Sequence, residues 1–169
     1  MVETLLLGAV VLVPLVALSA FFSSSETAIF SLPPAGSGEG TDPGDPDAAT
    51  LARLRADPHR LLVTLLVGNN LVNIAVSSII TVLATQYLPA TAAVAVTTVA
   101  GSTLILICGE IVPKAYGLGH ARTWSLRVAR PLALGERALG PLVWAFDGLT
   151  RRLSRWVGGD ADIEEPYRG

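Results

Sequence analysis

Hydrophobic positions along the chain gather into three long blocks. Leu5 to Phe22 supplies 18 consecutive apolar or small residues, about 27 Å of helix at 1.5 Å per residue and close to the hydrocarbon thickness of a bilayer. Between Arg60 and Glu110 lie 49 residues without a formal charge, enough for two spans and a tight turn. The segment "TQYLPAT" (85–91) supplies the turn. The pattern predicts an all-α membrane protein with three transmembrane helices, at about 4–31, 60–86 and 90–112.

Polar blocks separate and follow these spans. "PPAGSGEGTDPGDPD" (33–47) is rich in Pro, Gly and Asp and reads as a linker. Asp47 is expected to cap a short helix, "AATLARLRAD", before Pro58 opens the second span. Residues 117–157 are expected to form juxtamembrane helices, the last starting at Gly140 and Pro141 and stopping at Gly158 and Gly159. In that last helix Leu139, Leu142, Val143, Phe146, Leu149, Leu153 and Trp156 fall in one arc, opposite Arg151, Arg152 and Arg155, with Trp144 on the polar side. Such a helix fits the membrane interface or the face of a soluble partner domain. Residues 1–157 thus form one transmembrane domain, and 158–169 an acidic tail.

Composition agrees with the pattern: 51% hydrophobic, 15% charged, mean hydropathy +0.54, too apolar for an ordinary soluble domain. Glu3 and the length of the first block argue against a cleaved signal peptide, so the first span is expected to be retained. The single Cys108 excludes an internal disulfide. Arg53, Arg55 and Arg60 precede the second span, and Lys114, Arg122, Arg127, Arg130, Arg137, Arg151, Arg152 and Arg155 follow the third. Both segments are therefore expected in the cytoplasm, with the N-terminus outside and the C-terminus inside. No repeat and no nucleic-acid motif is present.

Candidate chemistry lies where polar residues interrupt the spans. In "SAFFSSSETAIFSL" (19–32), Ser19, Ser23 and Glu26 share one helical face. Asn69, Asn73 and Ser77 do the same in the second span. Each alone is ordinarily a helix-to-helix hydrogen bond, worth about 0.6 kcal/mol. Gly68 and the small residues Ala93, Thr97 and Gly101 permit close helix approach, within one chain or between two. At the end of the third span, "CGEIVPKAYG" places Pro113 four residues after Gly109, so proline frees the Gly109 carbonyl. Glu110 adds a carboxylate, in reach of Lys114 one turn on, and intramembrane carboxylates are functional candidates. Hydroxyls, amide oxygens, a carbonyl and a carboxylate, with no His or Cys cluster, form an oxygen-only set suited to a hard cation such as Mg²⁺. Glu26 would lie at the mouth of such a site or orient a neighbouring helix. An intramembrane serine hydrolase using Ser23, Ser24 or Ser25 needs a positioned base, and His59 and His120 lie outside the spans. The chain is therefore not expected to be an enzyme.

"LSAFFSSSETAIFSL", "LLVTLLVGNNLVNIAVSS" and "GEIVPKAYG", in this order and spacing, resemble the transmembrane domain of the CNNM/CorC magnesium transporters over residues 3–157. The resemblance implies a homodimer of three-span protomers in the plasma membrane. It also implies a juxtamembrane belt and Mg²⁺ transport, with export the expected direction, driven by Na⁺ moving the other way. It carries the metal site onto Ser19, Ser23, Asn69, Asn70, Asn73, Gly109 and Glu110. Ser24 departs from a position commonly glycine in the family. The paired nucleotide-binding CBS domains usual in the family do not occur in these 169 residues, so no nucleotide is expected here. A membrane subunit that senses Mg²⁺ or scaffolds another transporter is the alternative reading.

Overall fold

The computed structural model describes residues 2–34 and 45–157, and within these every regular element is a helix. They are α1 (Val2–Phe30), α2 (Pro46–Arg55), α3 (Pro58–Thr85), α4 (Ala90–Gly119), α5 (Ala121–Ala138) and α6 (Gly140–Val157). Segments Leu6–Phe30, Pro58–Thr85 and Ala90–Gly119 are long and apolar enough to cross a membrane. Their outer faces expose Leu7, Val10, Ile74, Val94 and Val99, which suits lipid and would be costly in water.

Four close approaches fix how the spans run. Gly8 of α1 meets Leu83 near the end of α3, and Phe22 meets Gly68 near its start, so α1 and α3 are antiparallel. Ser19 meets Gly109 and Ser24 meets Gly117, so α1 and α4 are parallel. Ala93, Thr97 and Gly101 are buried, with Ile80 of α3 against Gly101. This small-residue stripe therefore packs inside the protomer, which resolves the choice left open by sequence.

The ends of the elements obey local rules with one revision. Asp57 caps α3, accepting from the Arg60 N–H at 3.0 Å, and Pro58 takes the first turn as expected. For α2 the cap is Asp45 instead of Asp47: it accepts the Asp47 N–H at 2.9 Å, with Pro46 next. Pro46 has no N–H to satisfy and a preset φ, so the helix starts there. Asp47 instead pairs with Arg130 of α5.

The third span exceeds the predicted boundary at 112 and continues to Gly119. Residues Thr97–Gly101 and Ile105–Ile111 are π-helical, and Val112 N–H bonds Ile107 O. Lengthening the turn by one residue changes which carbonyls need donors just before Pro113. The helix thus passes the proline without stopping.

A second layer covers the end of the bundle where α1 finishes and α3 begins. Leu51 and Leu54 of α2, and Val128, Ala129 and Leu132 of α5, join Phe22, Ile29, Leu61 and Leu65 in one buried cluster. Burying such a side chain contributes about 1.5–3 kcal/mol. Glu136, buried on α5, receives Arg60 at 2.6 Å and Arg53 at 3.5 Å, a pairing that a buried carboxylate requires. Arg55 ties α2 to the end of α1 by donating to the Pro33 carbonyl at 2.6 Å. In α6, Val143 is buried, whereas Leu142, Phe146 and Leu149 are exposed and Trp144 is 79% exposed. The side chains of Arg151, Leu153, Arg155 and Trp156, most of the predicted linker (35–44) and the predicted stop and tail (158–169) lie outside the described residues.

Gly117 tests the α1–α4 contact. A Cβ there would sit 3.1 Å from the Ser24 carbonyl carbon and closer still to its oxygen. Backbone cannot rotate away as a side chain does. Gly117→Ala is expected to lower stability by about 1–3 kcal/mol, despite gaining about 1 kcal/mol of helix propensity. Gly119, where an added Cβ would meet nothing within 4 Å, is the control: thermal melts in detergent should show Gly119→Ala near neutral.

Candidate metal centre

Where α1, α3 and α4 meet in the bundle interior, polar side chains from all three form one network. Ser19 is 1% exposed and its hydroxyl is 2.6 Å from Asn73 Oδ1 and 3.2 Å from Asn69 Oδ1. The amide groups of the same asparagines face the other way. Asn69 Nδ2 donates to Glu110 Oε1 at 2.5 Å and Asn73 Nδ2 approaches the same oxygen at 3.4 Å. Four residues predicted from sequence are thus joined directly.

Two glycines make room for this arrangement. A Cβ on Gly109 would lie 2.6 Å from Ser19 Oγ, so any larger residue displaces that hydroxyl from the asparagines. A Cβ on Gly68 would lie 2.6 Å from the Phe22 ring. That ring seats the turn of α3 carrying Asn69. The Ser23 hydroxyl is fully buried and lies beside the Glu110 carboxylate without meeting hydrogen-bond geometry. An unpaired buried hydroxyl costs about 1–3 kcal/mol, so a ligand that supplies its missing partner is favoured there.

Asn70 stands apart from the cluster. It is exposed and donates to the Leu66 carbonyl at 2.9 Å. With Asn73, Ile74, Ser77, Ser78 and Thr81 it lines an open groove of about 330 Å³ along α3. Ser77, expected to extend the Asn69–Asn73 face, therefore lines this groove beside the cluster. Ser24 and Ser25 both donate to the Phe21 carbonyl, at 3.1 and 2.6 Å, a common use of hydroxyls inside apolar helices.

Lys114 pairs with Glu110 at 3.3 Å, as the one-turn spacing predicts, and also with Glu26 of α1 at 3.4 Å. The second pair crosses between helices. Its sequence signal was Glu26 one turn beyond Ser23, on the face shared with Ser19, but pairing needs the parallel register of α1 and α4. Also invisible in sequence was the bond from Trp124 Nε1 of α5 to Ser24 Oγ, 3.0 Å across 100 positions. Tyr116 of α4 stacks edge-on against Trp124, ring centroids 5.3 Å apart, and holds the indole in place.

The described residues contain no group of three or more His, Cys, Asp or Glu that could hold a metal. The available ligands are hydroxyls, amides, backbone carbonyls and the Glu110 carboxylate, a set for hard cations.

Comparison with known proteins places the chain in a family. The chain is 33% identical over 150 residues to the UPF0053 inner membrane protein YfjD of Escherichia coli, covering 86% of this chain and 34% of that one. It is 33% identical over 156 residues to a UPF0053 protein of Haemophilus influenzae, 92% of this chain and 37% of that one. It is 36% identical over 160 residues to a chloroplastic DUF21 domain-containing protein of Arabidopsis thaliana, 93% and 24% respectively. The chain thus spans about a third of the length of these bacterial relatives. Residues 10–168 match the cyclin M transmembrane N-terminal domain. With three apolar membrane-spanning helices and a match over nearly its whole length, the chain belongs to the CNNM family.

Proposed function

We propose that this domain carries Mg²⁺ across the membrane, binding it between α1, α3 and α4 through Ser19, Ser23, Asn69, Asn73, Gly109 and Glu110. The observation that carries the reading is the convergence of a hydroxyl, two amide oxygens and a carboxylate from three helices, beside a buried hydroxyl that has no partner. Family membership is compatible with membrane ion transport. Hard oxygen ligands favour Mg²⁺ over softer metals.

The Asn69 and Asn73 amide groups face Glu110 and their oxygens face Ser19. Turning either amide by half a rotation about its last side-chain bond exchanges Nδ2 for Oδ1. A cation beside Glu110 then meets oxygens in place of N–H groups. Such an exchange needs no backbone movement.

In this reading each protomer of a homodimer has its own site, because the ligands come from one chain. Arginine-rich segments on the cytoplasmic side give Mg²⁺ entry from inside and export, with Na⁺, another hard cation, moving the opposite way in the plasma membrane. The second reading is a Mg²⁺-sensing or scaffolding subunit without turnover, favoured by Ser19 being 1% exposed, since a ligand so enclosed can hold an ion without passing it on. Mg²⁺ flux into liposomes containing only this chain separates the two: flux above empty vesicles is expected, and its absence alongside measurable binding selects the second.

Asn73→Ala removes one amide oxygen without adding bulk. Calorimetry with MgCl₂ on the detergent-solubilised variant should show affinity reduced by about 10–100-fold, with the melting profile retained. Unchanged affinity would remove Asn73 from the site.

Pro113→Ala restores an N–H that faces the Cys108 carbonyl in the widened register seen at Val112 and the Gly109 carbonyl, the proposed ligand, in ordinary α register. Transport is expected to fall by about tenfold or more although no side-chain ligand has changed, while stability holds or rises because Ala is a better helix former. Transport at the wild-type rate would show that this carbonyl is not a ligand.

A further inference from the structure

The two oxygens of Glu110 serve different partners. Oε1 accepts from the asparagine amides, and Oε2 lies 3.3 Å from Lys114 Nζ. The same ammonium is 3.4 Å from Glu26 Oε2. Lys114 therefore stands between two carboxylates, one in the ligand cluster and one a turn beyond it. Their side chains are 23% exposed for Glu110, 35% for Glu26 and 42% for Lys114, a half-buried group where charges are screened less than at a free surface.

Resting on the ion-site reading above, we propose that Lys114 is a tethered counter-cation that competes with the transported ion for Glu110, with Glu26 as the seat to which it withdraws. A lysine ammonium on a four-carbon stem is compact and mobile, unlike a guanidinium fork. Between ions it neutralises Glu110, which would otherwise be an unpaired carboxylate inside a membrane span. When a cation reaches Glu110, ammonium and cation repel across a few ångströms. Glu26 is already within 3.4 Å of Nζ, so Lys114 gives up one partner and keeps the other. Two carboxylates and one ammonium leave a single net negative charge, which attracts a cation without holding it as tightly as two free carboxylates would. Release is thereby assisted by a cation that never leaves the protein.

The test is calorimetry with MgCl₂ on the detergent-solubilised chain in four forms. Lys114→Met should bind Mg²⁺ about tenfold tighter. Glu26→Gln should bind about tenfold weaker, because Lys114 is left with Glu110 alone. The double variant Glu26→Gln/Lys114→Met has the same net charge as the wild type but leaves Glu110 Oε2 free, and is expected to bind several-fold tighter than wild type. That variant separates direct competition from a general effect of charge, and it carries the test if Lys114→Met alone fails to fold. A double variant binding no tighter than wild type overturns the proposal. If in that case wild type binds and Asn73→Ala does not, the ion site stands without the competing lysine. A wild-type chain that binds no Mg²⁺ overturns both.

Discussion

Everything polar inside this bundle depends on how closely α1 and α4 approach. Gly109 admits the Ser19 hydroxyl and Gly117 admits the backbone at Ser24, so two parallel spans touch at points about two turns apart with nothing larger than a serine hydroxyl between them. In lipid there is little hydrophobic drive for helices to associate, and small residues gain contact by allowing backbones together. The contact also puts a hydroxyl, a carboxylate and a lysine within a few ångströms of one another in a medium that does not tolerate them singly. Packing and ion chemistry here are one constraint.

The second constraint is electrostatic. Among the described residues, carboxylates in the protein interior are matched to cations: Glu136 to Arg53 and Arg60, Glu110 and Glu26 to Lys114. The two groupings differ in kind. Glu136 is buried and joins α5 to the first turn of α3 and to α2, holding the surface layer in register. Lys114 and its carboxylates are partly accessible and adjoin a buried hydroxyl without a partner.

Much of this was legible in the sequence because it follows from periods and local chemistry. The three spans, the turn before Pro89, the start of the second span at Pro58 and the helix beginning at Gly140 needed only hydropathy and capping rules. So did the shared faces of Ser19 with Ser23 and of Asn69 with Asn73. What escaped depended on rotation and register between helices. Asn70 and Ser77 differ from Asn69 by rotation about the axis of α3, which decides whether a side chain meets Glu110 or a groove. Glu26 meets Lys114 only because α1 and α4 run parallel. Passage of α4 beyond Pro113 depended on a widened turn that residue spacing does not announce, since proline ordinarily marks an end.

The hydrogen bond from Trp124 to Ser24 has a mechanical meaning. Trp124 belongs to the layer covering one end of the bundle, and Ser24 is the residue after Ser23, whose hydroxyl lies beside Glu110. The indole is braced by Tyr116, itself on the helix that carries Glu110. Displacement of α5 along the bundle therefore pulls on both walls of the site together. Whatever pushes on that outer layer, whether a crowded headgroup region or an attached protein mass, is geared directly to the width of the space between α1 and α4.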